Sequence, residues 1–264
     1  MNPANSRDYS VLDRPEILSS LFFPRNETVS SSERSGRNMD IPLEDGTVLG
    51  ARFHHAGKEA PTIMFFHGNG EIAADYDDIG PLFGTMGVNF MVIDYRGYGR
   101  SSGQPTVRAL MTDCHEILSF SKNRLSENGY NGPLVVMGRS LGSAPALESA
   151  FSHQESFKGL IIESGFAYMM PLLRRLGIEP ERLGLSEEDG CRNMEKIRNV
   201  TIPTLVIHAE HDHIIPFSDG KALYEASASR KKKLIMIPGA DHNTIFVKGF
   251  GIYMKAIRDF MEAV

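Results

Sequence analysis

The chain has 264 residues, of which 28 are Lys or Arg and 33 are Asp or Glu, giving a net charge of −5 with histidine neutral. That balance excludes the clustered basic surface of a nucleic-acid binder, and 41 % hydrophobic beside 23 % charged residues excludes a disordered chain. A chain this long buries a substantial core without a disulfide or metal staple, and its two cysteines, Cys114 and Cys191, form no C-x-x-C pattern and read as reduced thiols.

The first sixteen residues carry Arg7, Asp8, Asp13 and Arg14 without an apolar run, so no secretory leader is expected and a cytoplasmic setting is. Ile17 to Phe23 (ILSSLFF) is apolar but stops at Pro24, and so short a piece is expected to dock on its own domain rather than dip into a membrane surface. Ser30 to Asn38 is polar and reads as an exposed loop, which divides the chain into an arm and loop over 1–39 and a domain over 40–264. No apolar stretch approaches the roughly 18 residues of a membrane helix.

From residue 40 short β-rich runs alternate with longer helical patterns, the order that builds a mostly parallel sheet with helices on both faces. The first expected strand, Val48 to His54, points His54 and His55 to opposite sides, a poor ligand pair. The second, Thr62 to Phe66, runs into His67-Gly68-Asn69-Gly70, and the third, Asn89 to Asp94, opens a loop that Asp94 and Arg96 are expected to fix. Within that loop Gly99-Arg100-Ser101-Ser102-Gly103 fits G-x-S-x-G, but Gly97 and Pro105 mark irregular backbone, so Ser101 is expected to be structural. Val107, Leu110, Met111, Cys114, Ile117, Leu118 and Leu125 then recur at helical spacing as a core stripe.

Leu134 to Gly138 is the next strand, and Gly138-Arg139-Ser140-Leu141-Gly142 repeats the serine pattern between that strand and the helical LGSAPALESAF. This is the context of the strained strand-to-helix turn that lifts a serine hydroxyl above a sheet edge, so Ser140 is the expected nucleophile. Arg139 either contacts substrate or anchors the turn. Gly159 to Glu163 is a further strand, with Glu163 placed to brace the rim. Ser164 to Pro203 is too short for a helical cap; its Phe166, Met169, Met170, Leu172, Leu173 and Leu176 form either an apolar acyl-binding wall or core. Thr204 to Ala209 leads into Glu210-His211-Asp212, and Lys233 to Ile237, after the solvated charge run Arg230 to Lys233, leads into PGADHN. Phe246, Phe250, Tyr253, Ile257, Phe260 and Met261 close the chain as a second helical core stripe.

A serine hydroxyl needs a histidine to take its proton and an acid to orient that histidine. Asp212 and His242 each follow the carboxyl end of an expected strand, where the active sites of open α/β sheets gather, and the order Ser140, Asp212, His242 is the one the elbow requires. The charge that develops on a substrate carbonyl oxygen needs preplaced amides. Leu141, next to the nucleophile, supplies one, and the loop after Thr62 to Phe66 supplies the other from Asn69, ahead of Gly70.

HGNG at 67–70, DYRGYGRSSG at 94–103, GRSLGS at 138–143, HAEHD at 208–212 followed by IIP, and GADHN at 239–243 together resemble the α/β-hydrolase superfamily. They are most similar to its small cap-less serine hydrolases, the group of protein depalmitoylases, esterases and peptidase-like enzymes. LFFPR at 21–25 is similar to the F-x-P segment that precedes the first strand in such proteins. The resemblance implies an α/β-hydrolase fold without a large cap, a Ser140-Asp212-His242 triad, an Asn69 and Leu141 oxyanion hole, no cofactor, and a carboxylic ester or thioester as the small-molecule or acylated substrate. Ala209 stands where the group usually has glycine, and Asn69-Gly70 is not its commonest ending of the HGN motif; both bear on loop geometry alone.

Competing readings are weaker. Gly68-Asn69-Gly70-Glu71-Ile72-Ala73 fits the G-x-G-x-x-A dinucleotide pattern with Asp94 ending the next strand, which would make an NAD(P) oxidoreductase. That pattern leaves His67 and the ordered triad unexplained. His208, His211 and His213 with Asp212 offer zinc-type ligands, but strand alternation turns neighbours in different directions, so no metal site is expected. An amide-cleaving peptidase-like enzyme and a hydrolase-like scaffold without turnover are the remaining alternatives.

Overall fold

The computed structural model describes residues 8–28 and 36–264. Its strands are β1 Arg37–Pro42, β2 Val48–His54, β3 Thr62–Phe66, β4 Asn89–Ile93, β5 Leu134–Arg139, β6 Gly159–Glu163, β7 Thr204–Ala209 and β8 Lys232–Ile237. They form one eight-stranded sheet in the order β1-β2-β4-β3-β5-β6-β7-β8. β2 pairs antiparallel with both β1 and β4, and every other pairing is parallel. The helices are α1 Pro15–Leu21, α2 Gly80–Thr85, α3 Val107–Glu127, α4 Ser143–Ser152, α5 Met169–Arg175, α6 Asn193–Ile197, α7 Phe217–Ala226 and α8 Ile245–Glu262.

The parallel strands are nearly continuous apolar runs because helices cover both faces of the sheet. Along β3, Met64 and Phe66 enter one core with Leu110 and Met111 of α3 and Leu147 of α4. Ile63 and Phe65, pointing the other way, enter a second core with Phe83 of α2 and Ile257 of α8. α3 starts where the Thr106 side chain accepts the Ala109 amide at 3.0 Å, which satisfies one donor of the first turn. Between β6 and β7 stand only α5, α6 and two 3-10 turns, and no cap is built over the carboxyl edge of the sheet.

Two features, at Arg37–Pro42 and at Phe250, differ from the sequence expectations. Arg37–Pro42 is an edge strand that no expected strand covered, and its Arg37 and Asn38 fall in the expected loop; residues 30–35 of that loop lie outside the described residues. Pro15–Leu21 is a helix whose Ile17 and Leu21 join the α3-side core together with Phe22, so these side chains are not available to a membrane surface. Phe250 is 45 % exposed, because α8 turns it away from the sheet side that buries Tyr253 and Ile257. Among the described residues no helix is long and apolar enough to cross a membrane.

Candidate active site

β5 ends at Arg139, and a 3-10 turn over Ser140–Gly142 carries the chain into α4. Ser140 has φ 51°, a left-handed backbone that a residue with a Cβ adopts at a strain of about 1–3 kcal/mol. The glycines on either side are sterically required. A Cβ at Gly138 would lie 2.2 Å from the Gly142 carbonyl oxygen, and one at Gly142 would lie 2.1 Å from that of Phe66. The turn is pinned from within, since Ser143 Oγ donates to the Ser140 carbonyl at 2.6 Å.

The loops after β7 and β8 bring the acid and the histidine to this turn. Ser140 Oγ lies 2.9 Å from His242 Nε2, and His242 Nδ1 lies 2.7 Å from Asp212 Oδ2. Asp212 Oδ1 accepts the amides of Ile214 (3.0 Å) and Ile215 (2.8 Å), which leaves Oδ2 for the imidazole. Burial works against the Asp212 charge, but the His242 ring and these amides outweigh it and hold the carboxyl below its usual range. The proton of His242 therefore belongs on Nδ1, facing Asp212, with Nε2 free to accept from Ser140. All three residues are at least nine-tenths buried.

The loop after β3 packs directly on the turn, for the Gly142 backbone meets the Phe66 and His67 carbonyls. His67, fully buried, donates from Nδ1 to the Gly68 carbonyl at 2.8 Å and so fixes the peptide plane that carries the Asn69 amide. The Tyr95 hydroxyl donates to the His67 carbonyl at 2.6 Å and fixes the preceding plane. The Asn69 side chain is occupied, its Oδ1 accepting from the Phe23 amide (2.9 Å) and the Tyr98 hydroxyl (2.7 Å). Among the described residues the Asn69 amide has no acceptor.

The other residues singled out in the sequence separate into two groups. Ser101 Oγ accepts the Gly50 amide at 2.8 Å and takes no part in this cluster. Asp94, 1 % exposed, accepts the Ala73 amide at 2.7 Å, so it does not present itself to a ribose. Arg96 pairs with Asp113 and Asp45. His208 donates from Nε2 to the Ile215 carbonyl inside the core while the His211 side chain is 69 % exposed, so the two do not converge. Met169, Met170 and Leu173 are 1 %, 4 % and 0 % exposed and belong to the core under α5; they offer no wall to a substrate. Phe166 borders a depression with Tyr168, Leu172 and Ile214, the last on the loop after β7 that also carries Asp212.

A cavity of ≈ 230 Å³ opens instead between α2 and α8, lined by Ile79, Phe83, Phe246, Val247 and Tyr253 with Arg139 and Asn243, the chain neighbours of Ser140 and His242. Sequence reasoning missed this cavity and one residue on its floor, Glu71. The available signal was a carboxylate directly after HGNG, together with an arginine inside the serine turn that has to find a counter-charge.

The family described as serine aminopeptidase, S33, matches residues 57–178 and 189–247. The chain is 28 % identical over 252 residues to the uncharacterized protein YfhR of Escherichia coli K12, covering 91 % of this chain and 85 % of that one. It is 28 % identical over 206 residues to human alpha/beta hydrolase domain-containing protein 17B, covering 76 % and 66 %. In fold it is similar to the Pyrococcus furiosus esterase Pf2001, with a TM-score of 0.73 at 17 % identity over 91 % of this chain and 98 % of that one. Est1E from Butyrivibrio proteoclasticus, solved with ferulic acid, gives a TM-score of 0.70 at 19 % identity over 85 % and 98 %.

Proposed function

The chain belongs to the serine aminopeptidase S33 family of α/β-hydrolases, and from that premise we propose that it cleaves carboxylic esters or thioesters through an acyl-serine intermediate. Ser140 Oγ attacks the carbonyl carbon while its proton passes to His242 Nε2, and the oxyanion that forms takes the amides of Asn69 and Leu141. Collapse expels the alkoxide or thiolate, which takes the proton back from His242 and leaves the acyl group on Ser140. Water, giving its proton to the same imidazole, then attacks the acyl carbon, and collapse breaks the bond to Ser140 Oγ, which takes the proton back from His242 as the acid leaves. Asp212 holds the ring in the required tautomer and balances its transient charge. The observation that carries this reading is the continuous chain from Ser140 Oγ through His242 to Asp212, at 2.9 Å and 2.7 Å. The cavity between α2 and α8, mostly apolar and lined by the chain neighbours of Ser140 and His242, is the proposed room for the substrate's apolar group.

Hydrolysis of a p-nitrophenyl ester series from acetyl to palmitoyl, beside an acyl thioester and an aminoacyl p-nitroanilide, tests the proposal. Esters and thioesters are expected to be cleaved faster than the anilide. Ser140→Ala is expected to lower kcat by about 10⁴-fold or more, whereas Ser101→Ala stays within a few-fold of wild type. Faster cleavage of the anilide would move the assignment to a peptidase. Inertness toward all three substrates and toward a serine-reactive phosphonate would make the chain a hydrolase-like scaffold.

A further inference from the structure

Five side chains outside the triad form one connected network at the carboxyl edge of the sheet. Glu71 Oε2 accepts the Gly68 amide and the Tyr76 hydroxyl, both at 2.7 Å. Glu71 Oε1 is 2.9 Å from Arg139 Nε, and Arg139 Nη2 donates to the His242 carbonyl at 3.1 Å. Glu163 stands behind them, its Oε1 3.6 Å from Arg139 Nε and its Oε2 accepting from the Tyr253 hydroxyl at 2.6 Å. Arg139 is 9 % and Glu163 3 % exposed.

The two carboxylates are not equivalent. Burial opposes the charge of both, but at Glu71 the guanidinium, the Tyr76 hydroxyl and the Gly68 amide prevail and hold the carboxyl below its usual range. At Glu163 burial prevails over the more distant Arg139 and pushes the carboxyl up. The working counter-ion of Arg139 is therefore Glu71. Each partner of that pair also grips the backbone of a different loop: Glu71 takes the amide of the residue before Asn69, and Arg139 takes the carbonyl of the general base itself.

We propose that Glu71 and Arg139 are a positioning pair that ties the oxyanion loop to the histidine loop across the nucleophile turn, so that the amide at Asn69 and the imidazole of His242 keep a fixed mutual geometry during acyl transfer. Neither residue touches the reacting atoms. Both act through backbone, Glu71 on Gly68 and Arg139 on His242, and a displacement of about 1 Å at either loop is enough to slow the chemical step about a hundredfold. This inference rests on the esterase reading above.

The test is the steady-state kinetics of Glu71→Ala, Glu71→Gln, Arg139→Met and the double variant E71Q/R139M on p-nitrophenyl acetate and butyrate, with every rate normalised to sites titrated by a serine-reactive phosphonate. That normalisation confines the reading to folded molecules. Glu71→Ala and Arg139→Met are expected to lose about a hundredfold in kcat, equally for both esters and with KM little changed. Glu71→Gln keeps an acceptor for the Gly68 amide and is expected to lose only about tenfold, a partial rescue that a lost packing contact would not produce. Because the pair acts as a unit, E71Q/R139M is expected to be no slower than Arg139→Met. Rates per titrated site equal to wild type in all variants would overturn the proposal. So would losses confined to KM and dependent on the acyl group, which would make the two residues substrate contacts. A wild type that turns over esters while the variants behave in either of those ways leaves the esterase reading standing; a wild type inert to esters and phosphonate overturns both.

Discussion

At the scale of single residues, the sharpest constraint lies on the two glycines that flank Ser140. Gly142 leaves no room for a methyl group against the Phe66 carbonyl, and that carbonyl belongs to the strand leading into the loop at 67–70. Gly142→Ala is therefore expected to destabilise the fold by about 1–3 kcal/mol and to lower kcat in the fraction that folds. Urea denaturation and phosphonate-normalised kinetics check the two effects separately; a variant with wild-type stability and rate would contradict the packing. The serine turn was legible in the sequence because its steric needs are local: glycine, a strand before it, small residues after it. Ser101 has the same letters without that context, and its hydroxyl serves the Gly50 amide. Glu71 was not legible, because its partner, Arg139, is brought to it by the neighbouring positions of β3 and β5 in the sheet rather than by any spacing along the chain.

At the scale of elements, strands with both faces covered announced themselves as apolar runs, and Val48–His54, Thr62–Phe66, Gly159–Glu163 and Thr204–Ala209 were readable to the residue. The strand at 37–42 was not, since an edge strand with one partner keeps Arg37, Asp40 and Pro42, the residue types that otherwise mark loops. α5 shows the opposite ambiguity. An apolar stripe near a substrate rim and an apolar stripe under it have the same periodicity, and only burial separates them. Leu173→Ala is accordingly expected to cost about 2–5 kcal/mol of stability and to leave the order of preference among acyl chain lengths unchanged. Denaturant titration and the p-nitrophenyl series decide it: a stable variant with a shifted chain-length optimum would return Leu173 to the substrate. The arm before β1 belongs to this scale as well. Its Phe23 amide bonds to Asn69 and Tyr98, and Arg25 and Glu27 bond to Gly99, so the arm supports the loop after β3 from outside.

At the scale of the whole molecule, stability is expected to fall on mild acidification. His54, 3 % exposed, is held neutral by burial and by the Arg52 charge beside it, with its pKa lowered to about 4. Burial lowers His115 and His208 in the same direction. Between the unfolded value of about 6.5 and the folded one, the unfolded chain binds more protons, so each such group gives its full stabilisation above pH 6.5. For His54 that stabilisation is lost as the pH drops toward 4, by up to about 1.4 kcal/mol per pH unit, and His115 and His208 act in the same direction. Thermal denaturation between pH 7 and pH 4.5 should show Tm falling, with a shallower slope in His54→Gln; a flat profile would contradict the burial of these rings. The two open sides of the sheet carry a different consequence. β1 ends in Pro42 with Arg37 and Asp40 along it, and β8 opens with Lys232 and Lys233. A ninth strand from another molecule would have to accept a missing amide on one side and desolvated ammonium groups on the other. The sheet is thus terminated at both ends against fibrillar growth, a safeguard suited to a chain whose central strands are among the most aggregation-prone stretches it contains.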